Sequence, residues 1–179
     1  YNTQGANFRS RPPSESPTRH FPIFQSVLDS QLTQSSPVVN DTWETLPLVP
    51  RDFSFAFTVR DNSSGGGGVA SDSVNITVID NDNDDNSVGS FSVTSQALNN
   101  VYTSESERTV SWNVSGTDLN PISVSSVDIT MSADGGETFP YVLAENVPND
   151  GSHDITLPDV VTTEGRIRVD AVGNIFYSI

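Results

Sequence analysis

The sequence predicts an all-β chain made of two tandem β-sandwich domains of the immunoglobulin or fibronectin kind. Short runs with an apolar residue at every second position recur along the chain, and Gly, Asn, Asp and Pro separate them. An Asp/Asn-rich segment divides these runs into two sets. We therefore expect a first domain over residues 1–80, an acidic linker over 81–88 and a second domain over 89–179.

The first domain opens with an irregular stretch. Four Pro lie between positions 12 and 22, which favours a long packed loop or a sheet edge. The run "SVLDSQL" predicts a single helical turn, with Ser26 as its cap.

A β-hairpin is predicted to close this domain. The run "RDFSFAFTVRD" has period two, the glycines 65–68 form a turn, and "VASDSVNITVI" alternates again. The side chains expected to point inward are Phe53, Phe55, Phe57, Val59, Val74, Ile76 and Val78.

The second domain shows about seven short runs, the number expected of an immunoglobulin-like sandwich. Trp112 is predicted to be buried on an early strand, between Val110 and Val114. A later run predicts that Val127, Ile129 and Met131 point inward. The sequence "PNDGS" predicts a tight hairpin turn with Asp150 and Gly151 at its tip.

The composition excludes several function classes. The formal net charge is −15, and all eight basic residues are Arg, so binding to nucleic acid or to an anionic membrane is not expected. The chain has no Cys, which removes disulfides and thiolate ligands. No apolar stretch approaches the roughly 20 residues of a membrane span.

The acidic segment is the candidate metal site. Asp80, Asp82 and Asp84 have the alternate spacing with which an EF-hand calcium loop begins, and Asp85 adds a fourth carboxylate. The EF-hand pattern then fails, because Asp85 stands where Gly is required and Phe91 where Glu is. Calcium-binding cadherin linkers are more similar, through "NDN" at 81–83, although Ile79 replaces their expected Asp.

Two other interpretations of this segment stay open. Asp and Asn are common in solvated spacers that make no packing contacts. Calcium could instead bind within a domain, at Asp61 beside the glycine loop or at Asp118. In favour of the linker site, its closely spaced carboxylates repel one another, and a divalent cation relieves that repulsion.

The segment "SADGGETF" fits the Asp-box pattern Ser-x-Asp-x-Gly-x-Thr-aromatic. Asp134 is expected to accept backbone N–H bonds across a turn, and Gly135 and Gly136 to supply positive φ. Phe139 is expected to anchor this hairpin on the sheet. We interpret the four residues as structural, because such a motif explains a turn without any catalytic role.

No catalytic group is predicted in the chain. The two histidines, His20 and His153, are isolated and form no HExxH motif, and a Cys-free zinc site would need both of them. No G-x-S-x-G sequence marks a serine nucleophile.

Several phrases together resemble the region that follows the catalytic domain in secreted, reprolysin-like bacterial zinc metallopeptidases. They include "FTVRDN" with "GGGGVASDSVNITV", "VSWNVSGTD", "SADGGETFPYVLAENVPNDGS" and "RIRVDAVGNIFYSI". The resemblance implies non-catalytic β-sandwich modules of an exported protein, and a first domain that begins upstream of Tyr1. It transfers no catalytic residue, because the catalytic HExxHxxGxxH motif does not occur here.

On these grounds we expect accessory modules that attach a protease to its substrate or to a surface, space its domains, or stabilise it through calcium. The expected partners are the catalytic domain of the same polypeptide and a protein substrate or cell-surface polymer. The alternative is an adhesin fragment that binds carbohydrate or cells, with Tyr102, Tyr141 and Trp43 as candidate platforms. A glycosidase suggested by the Asp-box would need two paired carboxylates, and no pair in the sequence points to them.

Overall fold

The computed structural model describes residues 5–33, 44–79, 89–96 and 100–179. In these ranges the chain contains nine strands and one five-residue helix, so the predicted all-β class is confirmed. The chain divides into two compact units, Tyr1–Asp80 and Asn81–Ile179. No helix within the described ranges has the length and apolarity that crossing a bilayer requires.

The first unit contains helix α1 (Phe24–Leu28) and strands β1 (Arg51–Arg60) and β2 (Val69–Val78). The two strands form the predicted antiparallel hairpin, with Arg51 opposite Val78 and Arg60 opposite Val69. In the described part of this unit they form a single two-stranded sheet, so a first sandwich of two packed sheets is not confirmed.

The prediction that Ser26 caps the helix is wrong. The helix begins at Phe24, and Ile23 occupies the cap position without a side-chain hydrogen bond. Ser26 lies inside the helix and is buried, and its backbone N–H donates to the Ile23 carbonyl at 2.9 Å. Ser26 is the third residue of the helix and lies three positions after the cap, so its side chain does not occupy the cap position.

An aromatic cluster joins the N-terminal segment to the hairpin. The rings of Phe8 and Phe21 pack on Phe53 and Phe55 of β1, with centroids 4.4–5.8 Å apart. A fully buried carboxylate, Glu44, accepts hydrogen bonds from the Arg19 guanidinium and the Arg9 backbone. Because a two-stranded sheet is marginally stable alone, the aromatic contacts to Phe53 and Phe55 hold the hairpin in place.

The apolar face of the hairpin is covered at one end only. Phe53 and Phe55 are half-buried, whereas Phe57, Val59 and Val74 are about half exposed (52%, 52% and 53%). The prediction that these last three side chains point into a core is therefore wrong. Period two identifies a face of a strand, but the aromatic residues of the N-terminal segment cover that face only as far as Phe55.

The second unit has seven strands in the described ranges, arranged in two antiparallel sheets. One sheet has the order β3-β4-β7 and the other β6-β5-β8-β9. The strands are β3 (Ser92–Val93), β4 (Glu107–Asn113), β5 (Ser126–Ser132), β6 (Tyr141–Pro148), β7 (Ser152–Thr156), β8 (Arg166–Ala171) and β9 (Tyr177–Ser178).

The core of the second unit draws buried residues from both sheets. The first sheet contributes Val110, Trp112 and Ile155, and the second contributes alternate residues of β5 and β8: Val127, Ile129 and Val169. Trp112 is 4% exposed, as predicted, and Met131 is buried as well. Val114, predicted to be inward, is half-buried at the edge of this cluster.

The connection after β6 differs from the prediction. Because β6 and β7 belong to different sheets, the residues around Asp150 and Gly151 do not form a hairpin turn. They carry the chain from one sheet to the other, and β7 then pairs with β4 instead. The turn sequence fixes where the chain reverses, but not which strand the next one pairs with.

Candidate functional site

The predicted linker site cannot be placed. Asp80, Asp82, Asp84 and Asp85 lie outside the described residues, and so does Trp43. Among the residues that the structure describes, no group of three or more His, Asp or Glu side chains is arranged to hold a metal ion. The linker site therefore stays a prediction.

The two alternative calcium positions have different surroundings. Asp61 follows β1, and its Oδ1 accepts the Ser63 backbone N–H at 3.1 Å. Backbone bonds from Ser63 and Gly68 lower the pKa of Asp61, so its carboxylate is already engaged in organising the glycine loop. A Cβ at Gly67 would lie 3.1 Å from that carboxylate, which explains a Gly there. Asp118 is exposed.

A densely hydrogen-bonded polar site lies in the loop between β5 and β6 and is built on Asp134. Its Oδ1 accepts the Ser132 hydroxyl at 2.6 Å and the Thr138 backbone N–H at 2.9 Å. Its Oδ2 accepts the Thr138 hydroxyl at 2.6 Å. Gly135 and Gly136 have φ of 77° and 101°, a region that L side chains rarely adopt. The Asp134 carboxylate thus closes its own turn.

The hydrogen bonds keep this carboxylate ionised. Bonds from the Ser132 hydroxyl, and then from the Thr138 hydroxyl and backbone, hold the pKa of Asp134 far below its ordinary value. A carboxyl whose pKa is lowered by folding stabilises the folded state above its unfolded pKa. That stabilisation is lost as the pH falls through the folded pKa.

Replacing Asp134 with Ala is therefore expected to lower the melting temperature at neutral pH, because the turn loses the acceptor of three donors. The difference from the natural chain should shrink as the pH falls below about 4, the ordinary pKa of Asp. Thermal melts followed by circular dichroism at pH 7 and pH 3 measure it. The control is Glu137→Ala, an exposed carboxylate in the same loop. A difference that does not change with pH would contradict the assigned role.

Next to this turn, a guanidinium lies between two aromatic rings. Arg168 of β8 lies 4.2 Å from the Phe139 ring centroid and 5.7 Å from that of Tyr177, and it pairs with Asp170 at 2.8 Å. Burial raises the pKa of Tyr177 to about 12, despite the opposing effect of the Arg168 charge. Phe139 is thus held on the outer face of the sheet by a cation–π contact.

A buried amide that the sequence analysis did not single out links the two sheets. Asn149 is 5% exposed, and its Oδ1 accepts the Trp112 indole N–H at 2.9 Å. Its Nδ2 donates to the Thr117 hydroxyl and to the Val124 carbonyl, each at 3.0 Å. The available signal was the indole itself, because a buried Trp N–H needs an acceptor.

The candidate aromatic platforms differ in accessibility. Tyr102 is 37% exposed, with the Arg108 guanidinium 5.0 Å from its ring centroid and the Asn100 amide 3.3 Å from its hydroxyl. Tyr141 is half-buried in β6. The histidines are not brought together: His20 packs on Phe24 in the first unit, and His153 lies in β7 of the second.

Comparisons with protein-family models, with curated proteins and with solved structures gave no match. The resemblance to the accessory region of reprolysin-like metallopeptidases accordingly stays a prediction.

Proposed function

We propose that this chain is a pair of non-catalytic accessory modules of an exported zinc metallopeptidase. In this proposal the modules attach the enzyme to protein substrate or to a surface, space its domains, or stabilise it through calcium. The phrases that resemble the metallopeptidase accessory region support the proposal, and so does the all-β architecture.

The strand order of the second unit supports an immunoglobulin- or fibronectin-like assignment. A three-stranded sheet, β3-β4-β7, packs on a four-stranded sheet, β6-β5-β8-β9, through a shared apolar core. Counted within this unit, β3, β4 and β7 are the first, second and fifth strands, and the other sheet contains the third, fourth, sixth and seventh. This division of seven strands between two sheets fits that class of sandwich. We assign residues 89–179 to such a domain and residues 1–80 to a first sandwich joined through the linker at 81–88.

One observation carries the proposal: the polar side chains with the most interactions described above form them with other residues of the second unit. Asp134 closes a turn, Asn149 joins Trp112 to a neighbouring loop, and Arg168 stacks on Phe139. Such an arrangement stabilises a rigid body, which suits a module that spaces or attaches.

A sedimentation assay tests the attachment role. The chain is mixed with insoluble casein or with insoluble polysaccharide, and the pellet is analysed. We expect the chain to sediment with the protein particles. Failure to bind them would contradict attachment to protein substrate.

Binding to the polysaccharide alone would favour the adhesin-type alternative, in which a sugar stacks on the exposed ring of Tyr102. In that case Tyr102→Ala should abolish binding, whereas Tyr141→Ala, at a half-buried ring, should not.

Calcium binding has its own expected result. Removing calcium with EDTA should lower the melting temperature by several degrees, because a ligand present at about a hundred times its Kd adds roughly 2.7 kcal/mol to stability. Adding excess calcium should restore it. A variant carrying Asp82→Asn and Asp84→Asn should no longer respond, while Asp61→Asn should still respond. If only Asp61→Asn lost the dependence of its melting temperature on calcium, the calcium site would be at Asp61 in the first unit.

A further inference from the structure

Two Asp–Gly pairs in the second unit have opposite environments. At Asp134–Gly135 the carboxylate accepts bonds from Ser132 and Thr138, and the Gly135 N–H donates to the Glu164 carbonyl at 3.1 Å. At Asp150–Gly151 the carboxylate is exposed and accepts one long bond, 3.5 Å from Ser152 N. Within the described part of the chain, no acceptor is bonded to the Gly151 N–H.

We propose that Asp150 is a site of spontaneous isoaspartate formation, and that Asp134 is protected from the same reaction. The Gly151 backbone nitrogen attacks the protonated carboxyl carbon of Asp150, and the carboxyl hydroxyl and the amide proton leave as water. The resulting succinimide takes up one water and opens to aspartate or to isoaspartate. No oxidant or cofactor is needed, and Gly151 has no side chain to hinder the attack.

The fold opposes each step at Asp134. A carboxylate that accepts three short hydrogen bonds is held in its ionised form, which lacks the leaving hydroxyl. The Gly135 backbone N–H already donates to the Glu164 carbonyl, and this hydrogen bond fixes the orientation of the nitrogen that would have to attack Asp134. The two sites therefore differ through folding, since each has the same Asp–Gly chemistry.

The position of Asp150 gives the modification a structural consequence. Isoaspartate routes the main chain through the side-chain carbon and lengthens it by one methylene group. That insertion falls between Asn149, which binds the Trp112 indole, and Gly151, whose carbonyl accepts the Trp112 backbone N–H at 2.9 Å. The hydrogen bonds from Trp112 to Asn149 and to Gly151 cannot both keep their present geometry in the longer chain. The modified chain should therefore be less stable.

Ageing of the intact chain tests the proposal, which is independent of the proposed function. The folded protein is kept at 37 °C in neutral buffer, a second sample is aged in urea, and both are labelled with an isoaspartyl methyltransferase. Peptide mapping then locates the label. In the folded sample we expect label at Asp150 and little at Asp134; in urea the two sites should be labelled to a similar extent.

The matched control is Asp150→Glu, which keeps the charge at an exposed position but forms the cyclic imide far more slowly. It should lose the label at residue 150, and circular dichroism checks that it folds. Labelled chain, separated from unlabelled chain, should melt at a lower temperature. Equal labelling of both sites in the folded sample, or none at Asp150, would overturn the proposal.

Discussion

Replacing Asn149 with Ala is expected to lower the free energy of unfolding of the second unit by about 3 kcal/mol, because buried groups that lose a partner cost about 1–3 kcal/mol each. Its side chain bonds the Trp112 indole, the Thr117 hydroxyl and the Val124 carbonyl. Trp112 is buried in β4, and Thr117 and Val124 are buried in the connection from β4 to β5, so water does not replace the lost amide easily.

Urea unfolding of the intact chain, followed by circular dichroism, measures this loss. The control is Asp150→Ala at the adjacent exposed position, expected to stay within about 0.5 kcal/mol of the natural chain. A double-mutant cycle with Trp112→Phe isolates the bond between the amide and the indole. A loss below about 1 kcal/mol for Asn149→Ala would contradict the role assigned to the buried amide.

Replacing Phe55 with Ala is expected to destabilise the first unit by about 3 kcal/mol, as Phe-to-Ala changes in packed sites do. Its ring centroid lies 4.4 Å from that of Phe21 and 5.8 Å from those of Phe8 and Phe53. The loss removes the central contact between the N-terminal segment and β1. Because the hairpin depends on that segment, we expect the whole unit to unfold together.

Phe57→Ala is the matched control on the same face of β1, two residues further along. Phe57 is 52% exposed, so its removal should cost less than about 1 kcal/mol. Hydrogen exchange of the β1 and β2 amides in each variant reports on the first unit alone. Equal protection losses in the two variants would show that the aromatic cluster is not the core of this unit.

The sequence predicts where the strands of this chain lie better than it predicts which of their side chains are buried. Period two in residues 51–60 and 69–78 identifies β1 and β2, because alternation follows from the pleat itself. This alternation does not predict that the apolar face of β1 is covered by other residues only as far as Phe55. Coverage depends on how far the rings of Phe8 and Phe21 reach, which is a tertiary property.

The polar site shows the same division. The Asp134 turn is local, so its donors lie within four residues and the motif indicates them directly. The partners of Asn149 lie 25 to 37 residues away, and no local pattern joins them. The contact of Phe139 with Arg168 likewise depends on which strands become neighbours in the sheet.

The composition of the acidic segment does not determine whether it is a spacer, a hinge or a calcium site. Spacers, hinges and calcium ligands all use Asp and Asn, because these side chains tolerate turns and also offer hard oxygens. Only the convergence of several carboxylates on one point distinguishes the last of these uses. The melting experiment with EDTA and calcium on the variant carrying Asp82→Asn and Asp84→Asn tests for that convergence.

The central proposal is that this chain supports a protease but cleaves nothing itself. The purified chain is incubated with soluble casein and with labelled insoluble protein, with zinc and calcium supplied, and released peptides are measured over time. The proposal predicts no release above that of buffer alone. Sustained release of peptides that persists through purification and disappears with heat denaturation would contradict it.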